Sequence, residues 1–331
     1  MKRIDETNLQ PGDILLTTTL RWESRKIRQG TKSDISHAML YVSSASVIDS
    51  TGDGVQARNL QKLFYDDECA VHALRPKSPL SPAALKQVID YARAATGTPY
   101  SFIEAVRAFK GPRGEGSEKQ FCSRLVARAY EEAGVKLVAS PDFCTPGQLK
   151  ASPLLQLLAS PAVSVSDDEV EATRSQRDGV AGMIHVTNQF LVMVREVSPK
   201  IGSINDALQF LVDNQAYDAV IEEALRASGY LRFWREELEA FPWRYDIDTM
   251  LEFERQHGLT SELEDYCRRT LEDDADGTFE HWSAALAASR ENVKKFGLST
   301  FQALVTLYEN LVASHEQRVT TAREWVSRHG S

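Results

Sequence analysis

The 331-residue chain is long enough for two domains of ordinary size, and its 42% hydrophobic and 26% charged residues describe a folded protein, not a disordered one. A formal net charge of −9 hides an asymmetry, +4 over residues 1–160 and −13 over residues 161–331, and the basic excess of the first part is too small and dispersed to bind nucleic acid. No run of about 18 apolar residues supplies a membrane helix, and Cys69, Cys122, Cys144 and Cys267 lack the spacing of a zinc site or a disulfide framework, so neither metal nor cofactor is expected.

The chain begins MKRIDETNLQPGD, two basic residues with no apolar run behind them, which is unlike a secretory signal. The expectation is a cytoplasmic protein as synthesised, with export to the periplasm or another cell without a cleavable signal as the alternative. Four short apolar or β-branched runs follow: "GDILLTTT" (12–19), "SHAMLYV" (36–42), "ASVIDST" (45–51) and "CAVHALRP" (69–76). Gly, Ser, Asp and Pro punctuate them, and they read as strands. "SPAALKQVIDYARAAT" (81–96) reads as a helix with Pro82 in its first turn and Leu85, Val88, Ile89 and Ala92 on one stripe. "KGPRGEG" (110–116) lacks the Lys-Ser/Thr and helix of a phosphate loop and reads as a flexible loop placed to act as a lid.

A second helix is expected over about 121–133, stopped by Gly134. It carries Cys122 at its front, and two starts are open. If the helix begins near Phe121, the thiol sits over the first free N–H groups, which favour a thiolate and can hold an oxyanion. If Ser117 and Gln120 form a capping box, Cys122 falls in the second turn and that advantage fades. Cys122, Leu125, Val126, Ala129 and Ala133 also make one apolar stripe, so a buried thiol is the plain alternative.

Of the seven histidines, His37 opens an apolar strand after a polar loop, the position best suited to face a cleft. Asp49 lies on the next strand, where an antiparallel neighbour brings it beside His37 to hold the imidazole's tautomer.

The Ser/Pro/Asp stretch at 157–173 ends the mixed pattern, and from about 168 to 328 the sequence reads as helices, about five to seven of them. "SINDALQFLVDN" starts on a good Ser203 cap. "LSTFQALVTLYENLVASHEQRVTTAREWV" repeats apolar residues at helical spacing. "TLEDDADGTFE" (270–280) lacks EF-hand spacing and reads as a solvated interhelical loop. Four of the five tryptophans lie in this part, where core packing is the default. The fold class is therefore α+β, with a mixed domain over residues 1–160 and an all-helical domain over 161–331.

The ordered set "PGDILL", "SHAMLYV", "VIDS", "GTPYSF" and "FCSRLVARAYEEAG" resembles the circularly permuted papain-like hydrolases of the NlpC superfamily, in the YiiX-like branch, over about residues 9–150. In that branch histidine precedes cysteine. The resemblance implies a small antiparallel sheet packed on helices, with Cys122 as nucleophile, His37 as general base and Asp49 as orienting residue. It places Tyr100, with Ser36 and Ser123, at the substrate pocket, a tyrosine in an ordinary turn after Gly97 being the alternative for Tyr100, and makes Cys144 a packing residue. The activity implied is amide hydrolysis through a thioester acyl-enzyme, on peptide cross-links or stems of bacterial peptidoglycan. A lipid acyl hydrolase or acyltransferase of the same fold and an inactive binding scaffold are the alternatives. The acidic helical part suits docking to a protein partner, such as a secretion apparatus or an immunity protein if the chain is an antibacterial effector.

Overall fold

The computed structural model describes residues 1–18, 34–100 and 121–329. The lid expected at 110–116 and the alternative cap at Ser117 lie outside the described residues. The chain divides into two compact units, Met1–Ile184 with Pro199–Asp206, and His185–Ser198 with Ala207–Ser331.

The first unit is built on a six-stranded antiparallel sheet. Its strands are β2 (Ile14–Thr17), β3 (His37–Ser43), β4 (Ser46–Thr51), β5 (Gly54–Asn59), β7 (Val71–Pro76) and β8 (Leu155–Leu157), in the spatial order β5-β4-β3-β2-β7-β8. A smaller sheet sets β1 (Lys2–Ile4) between β6 (Phe64–Tyr65) and β9 (Ala162–Ser164). The Ser/Pro/Asp stretch thus lies inside this unit, with β9 paired to β1.

Both faces of the large sheet are covered. Ala38, Leu40, Val42 and Ile48 pack on one side with residues of α1 (Pro82–Ala94) and α2 (Cys122–Glu132), among them Val88, Ala92, Leu125 and Val126. Met39, Tyr41, Leu15, Val47 and Ala73 pack on the other, with Ile4, Leu60 and Tyr65. Two-sided burial explains why "DILL" and "HAMLYV" read as continuous apolar runs without polar alternation.

Each helix starts and stops for a local reason. Ser81 caps α1 through the Ala84 N–H, with Pro82 at the first position. Gly134 ends α2 at φ +78°, its N–H bonded to the Glu131 carbonyl. A capping box of Thr145 and Gln148 starts α3 (Pro146–Lys150).

Two tight hairpins set the register of the strands that matter most. Ser44 and Ala45, both at positive φ, turn β3 into β4; Gly52 and Asp53 turn β4 into β5. Gly54 sits at φ +87°, and a Cβ there would lie 2.6 Å from the Thr98 carbonyl oxygen, which accepts the Val55 N–H at 2.9 Å. This close approach seats the chain at Thr98, two residues before Tyr100, against the start of β5.

From α4 (Asp167–Ser175) onward the described residues form nine α-helices, more than the five to seven expected: α5 (Gly179–Val197), α6 (Ile204–Asp213), α7 (Asp218–Ala227), α8 (Trp234–Ala240), α9 (Ile247–His257), α10 (Thr260–Ala275), α11 (Glu280–Phe296) and α12 (Ser299–His329). Short turns and isolated glycines divide what periodicity alone joins; α9 and α11 end on Gly258 and Gly297 in the left-handed conformation. The acidic stretch at 270–280 is mostly the end of α10 and not a loop, because Leu271 packs beside the core of Met250, Leu263, Cys267, Ala322 and Trp325. Ser203 caps α6 as expected, accepting from the Asp206 N–H at 3.1 Å while Asp206 accepts the Ser203 N–H at 2.8 Å. The start of α12 is held from another helix: the Asp218 carboxylate accepts the N–H groups of Ser299 and Thr300 at 2.7 and 2.9 Å. Among the described residues no helix is long and apolar enough to cross a membrane.

Candidate active site

His37 is the first residue of β3, opposite Thr17 of β2. It shares a strand face with Met39, whose partner across the next ladder is Asp49 of β4. His37 and Asp49 are therefore diagonal neighbours on one face, within reach of each other's long axes. They meet: His37 Nε2 lies 2.8 Å from Asp49 Oδ2. Asp49 is only 2% exposed and His37 20%.

The other carboxylate oxygen is also held. Arg58 of β5 donates Nε–H to Asp49 Oδ1 at 2.8 Å and Nη2–H to Thr51 Oγ1 at 2.6 Å. Sequence reasoning missed Arg58, because it sits in "GVQARN", a mostly polar edge strand with no apolar run to announce it. The only available signal was the Gly52–Gly54 turn, which folds β5 back onto the strand of Asp49.

The helix start is decided in favour of Phe121. Phe121 is the extended N-cap residue, Cys122 is the first helical residue, and the first intrahelical bond runs from Leu125 N–H to the Phe121 carbonyl at 3.0 Å. The N–H groups of Cys122, Ser123 and Arg124 consequently have no acceptor within the helix and converge on its positive end. Cys122 is 6% exposed.

His37 and Cys122 are hydrogen-bonded. Burial lowers the proton affinity of His37, but the charge of the Cys122 thiolate and hydrogen bonds to Asp49 and Cys122 outweigh it and push the imidazole pKa up to about 10. With Nε2 engaged by Asp49, the nitrogen that faces the thiol is Nδ1. The site thus sets one imidazole between a thiol at a helix start and a buried carboxylate.

Tyr100 packs on Phe121, together with Phe143, and its phenol is driven up by burial and by the Cys122 charge, which places it beside the thiol. Ser36 is buried and its N–H bonds to the Thr17 carbonyl at 3.0 Å, holding the chain in register just ahead of His37. Ser123 is buried and donates its hydroxyl to the Cys144 carbonyl at 2.9 Å, tying the start of α2 to the segment ahead of α3. Cys144 returns a bond from Sγ to the Ser123 carbonyl at 3.1 Å, and burial pushes its thiol up to about 12, in keeping with a packing residue.

The segment leading into His37 has its own anchor. Lys150 of α3 binds both oxygens of Asp34 at 2.8 and 3.0 Å, and His72 of β7 lies 3.0 Å from the same carboxylate. Burial opposes ionisation of Asp34, but these partners hold its pKa down at about 2. Among the described residues no group of three or more His, Cys, Asp or Glu side chains is arranged to hold a metal ion.

Residues 8–146 match the model of a family described as permuted papain-like amidases, YaeF/YiiX, the C92 family. Over this stretch, less than half of the chain, the sequence is similar to permuted papain-like amidases. Within the matched residues the strand that His37 opens precedes the helix that Cys122 opens. One curated relative, the probable lipoprotein peptidase YaeF of Escherichia coli strain K12, is 25% identical over 181 residues, which cover 45% of this chain and 65% of the relative. The match therefore spans a little under two thirds of that relative's length. Among solved structures, metalloprotein yiiX from Escherichia coli O157:H7 aligns over 45% of this chain and 96% of its own, at 19% identity and a TM-score of 0.37. The similarity to permuted papain-like amidases is confined to the first part of the chain, and the family match ends ahead of the helical part.

Proposed function

We propose that this amidase domain cleaves amide bonds in bacterial cell-wall peptides through a thioester acyl-enzyme. The observation that carries the reading is the placement of one imidazole between a buried carboxylate and a thiol at a helix N-terminus. Cys122 Sγ attacks the amide carbonyl carbon, and the carbonyl π electrons move to oxygen. The N–H of Cys122, at the helix start, is placed to donate a hydrogen bond to that oxygen. His37 delivers its Nδ1 proton to the leaving nitrogen as the C–N bond breaks, and the acyl group stays on sulfur.

Acylation changes the base. The thiolate charge that holds the His37 proton is gone once sulfur carries an acyl group, so the imidazole's affinity falls and it becomes able to take a proton from water. That water attacks the thioester, the C–S bond breaks, and the thiolate–imidazolium pair is restored. Asp49 keeps Nε2 protonated throughout and so keeps Nδ1 as the working nitrogen.

The peptidase name of the YaeF relative supports amide cleavage, and the mild positive charge of the first part of the chain suits an anionic polymer such as the wall. Purified sacculi incubated with the wild type, Cys122→Ala and His37→Ala test it, with released fragments identified by mass spectrometry. Fragments from the wild type alone are expected. Cleavage by either variant sinks the assignment, and products from phospholipid vesicles but not sacculi would move the substrate to acyl esters.

A further inference from the structure

A buried carboxylate between two partners has its charge divided between them, and Asp49 is in that position. Oδ2 accepts from His37 and Oδ1 from Arg58, each at 2.8 Å. The guanidinium is itself fixed on the β4–β5 hairpin, with Nη2 bonded to Thr51 Oγ1 at 2.6 Å and 3.8 Å from the Asp53 carboxylate. Arg58 stands opposite Val47 in the ladder, one diagonal step from Asp49, and is 23% exposed. Its planar fork meets an acid and a hydroxyl at once, which an ammonium cannot do from one position.

We infer that Arg58 is a positioning residue of this site: it fixes the plane of the Asp49 carboxylate and takes a share of its charge, so that His37 is oriented without being locked as an imidazolium. The inference rests on the cysteine amidase reading. In the proposed cycle His37 must alternate between holding and releasing a proton, and in each neutral phase Asp49 is a buried anion. Arg58 supplies the compensating charge in that phase. The groups that face Asp49 are His37 from β3, Arg58 and Thr51 from the hairpin, Asp53 beyond the guanidinium, and Tyr65 from β6, whose phenol feels the Asp49 charge.

Removing a cation from this row raises the proton affinity of every acid along it, Cys122 included. Alkylation of Cys122 by iodoacetamide reads that directly and needs no substrate. The full chain is alkylated across an acid-to-neutral pH series as wild type, Arg58→Gln, Arg58→Lys and Thr51→Val, the modified Cys122 peptide is quantified by mass spectrometry, and thermal melts monitor folding. The acid limb of Arg58→Gln is expected to move up by on the order of half to one pH unit, and Arg58→Lys to recover most of that shift. Thr51→Val keeps the charge but loosens its aim, and a smaller upward shift is expected. Superimposable limbs for wild type and a folded Arg58→Gln overturn the proposal; where Arg58→Gln does not fold, an unmoved limb in Thr51→Val overturns it. A wild-type Cys122 that reacts no faster at about pH 6 than the thiols of the denatured chain removes the amidase reading itself, which is a separate failure.

Discussion

His37 meets Asp49 across the β3–β4 ladder through Nε2, at 2.8 Å, and this one contact determines that Nδ1 is the nitrogen presented to Cys122. An imidazole has two nitrogens, and the carboxylate selects which one works. Asp49→Asn keeps an acceptor for Nε2–H but removes the charge; Asp49→Ala removes both. The His37 titration midpoint, followed by NMR of the ring protons, is expected to fall from about 10 in both variants, because each loses the Asp49 charge that helps raise it. Turnover is expected to fall about tenfold in the first and about a hundredfold in the second, the range seen when an outer partner of a working group is lost.

Cys122 differs from the other three thiols in its surroundings more than in its burial. All four are buried, but Cys144 and Cys267 are each pushed up to about 12 by burial, while Cys122 faces an imidazolium at a helix start. Iodoacetamide at about pH 7 is therefore expected to label Cys122 at least about a hundredfold faster than Cys144 or Cys267, read by peptide mass spectrometry. His37→Ala is expected to erase most of that preference. Equal labelling of all sites in the native protein would contradict the ion pair.

The Asp of "PGDILL" is structural. Asp13, 1% exposed, takes both arms of Arg75 at 2.8 and 2.6 Å and also accepts the Gln10 N–H at 2.8 Å, which locks the turn before β2 to β7. Asp13→Ala leaves the guanidinium without its acid and a backbone N–H without its acceptor, and a loss of about 3 kcal/mol in urea unfolding is expected. The pH profile of Cys122 alkylation is expected to stay as in the wild type below the new melting point.

Cys144 makes stability depend on alkaline pH. Its folded pKa, about 12, lies above the ordinary value of 9.0, so its contribution is complete below about pH 9 and is lost as pH rises toward 12, where the unfolded chain has already released its proton. The loss is about 1 kcal/mol by pH 10. Cys144→Ala carries a constant packing cost at every pH, so the gap in melting temperature between it and the wild type is expected to narrow between pH 8 and pH 10. A gap that stays constant would show that Cys144 ionises as easily folded as unfolded.

Much of this protein was legible along the chain. Gly134 stops α2, Pro82 opens α1 and Ser203 caps α6, because turn and cap preferences depend on one or two residues and their immediate neighbours. The strands of "DILL" and "HAMLYV" were visible because burial on both faces leaves continuous apolar runs. His37 and Asp49 on adjacent strands and Cys122 on the following helix were accessible as candidates from the motifs and their order, with the permuted papain-like family as the frame.

Contacts between distant segments were decided only by the tertiary structure. Whether Cys122 opens its helix depended on where Phe121 leaves the extended conformation, since two capping patterns competed locally. The role of Ser123 depended on Cys144, 21 residues away, which accepts its hydroxyl. Arg58 could not be found from its own neighbourhood, because a polar edge strand has no period of its own and the arginine acquires a partner only when the hairpin folds it beside Asp49. Local preferences are set by the backbone and act over a few residues; charge pairing acts through space, and needs the fold before it can choose its partners.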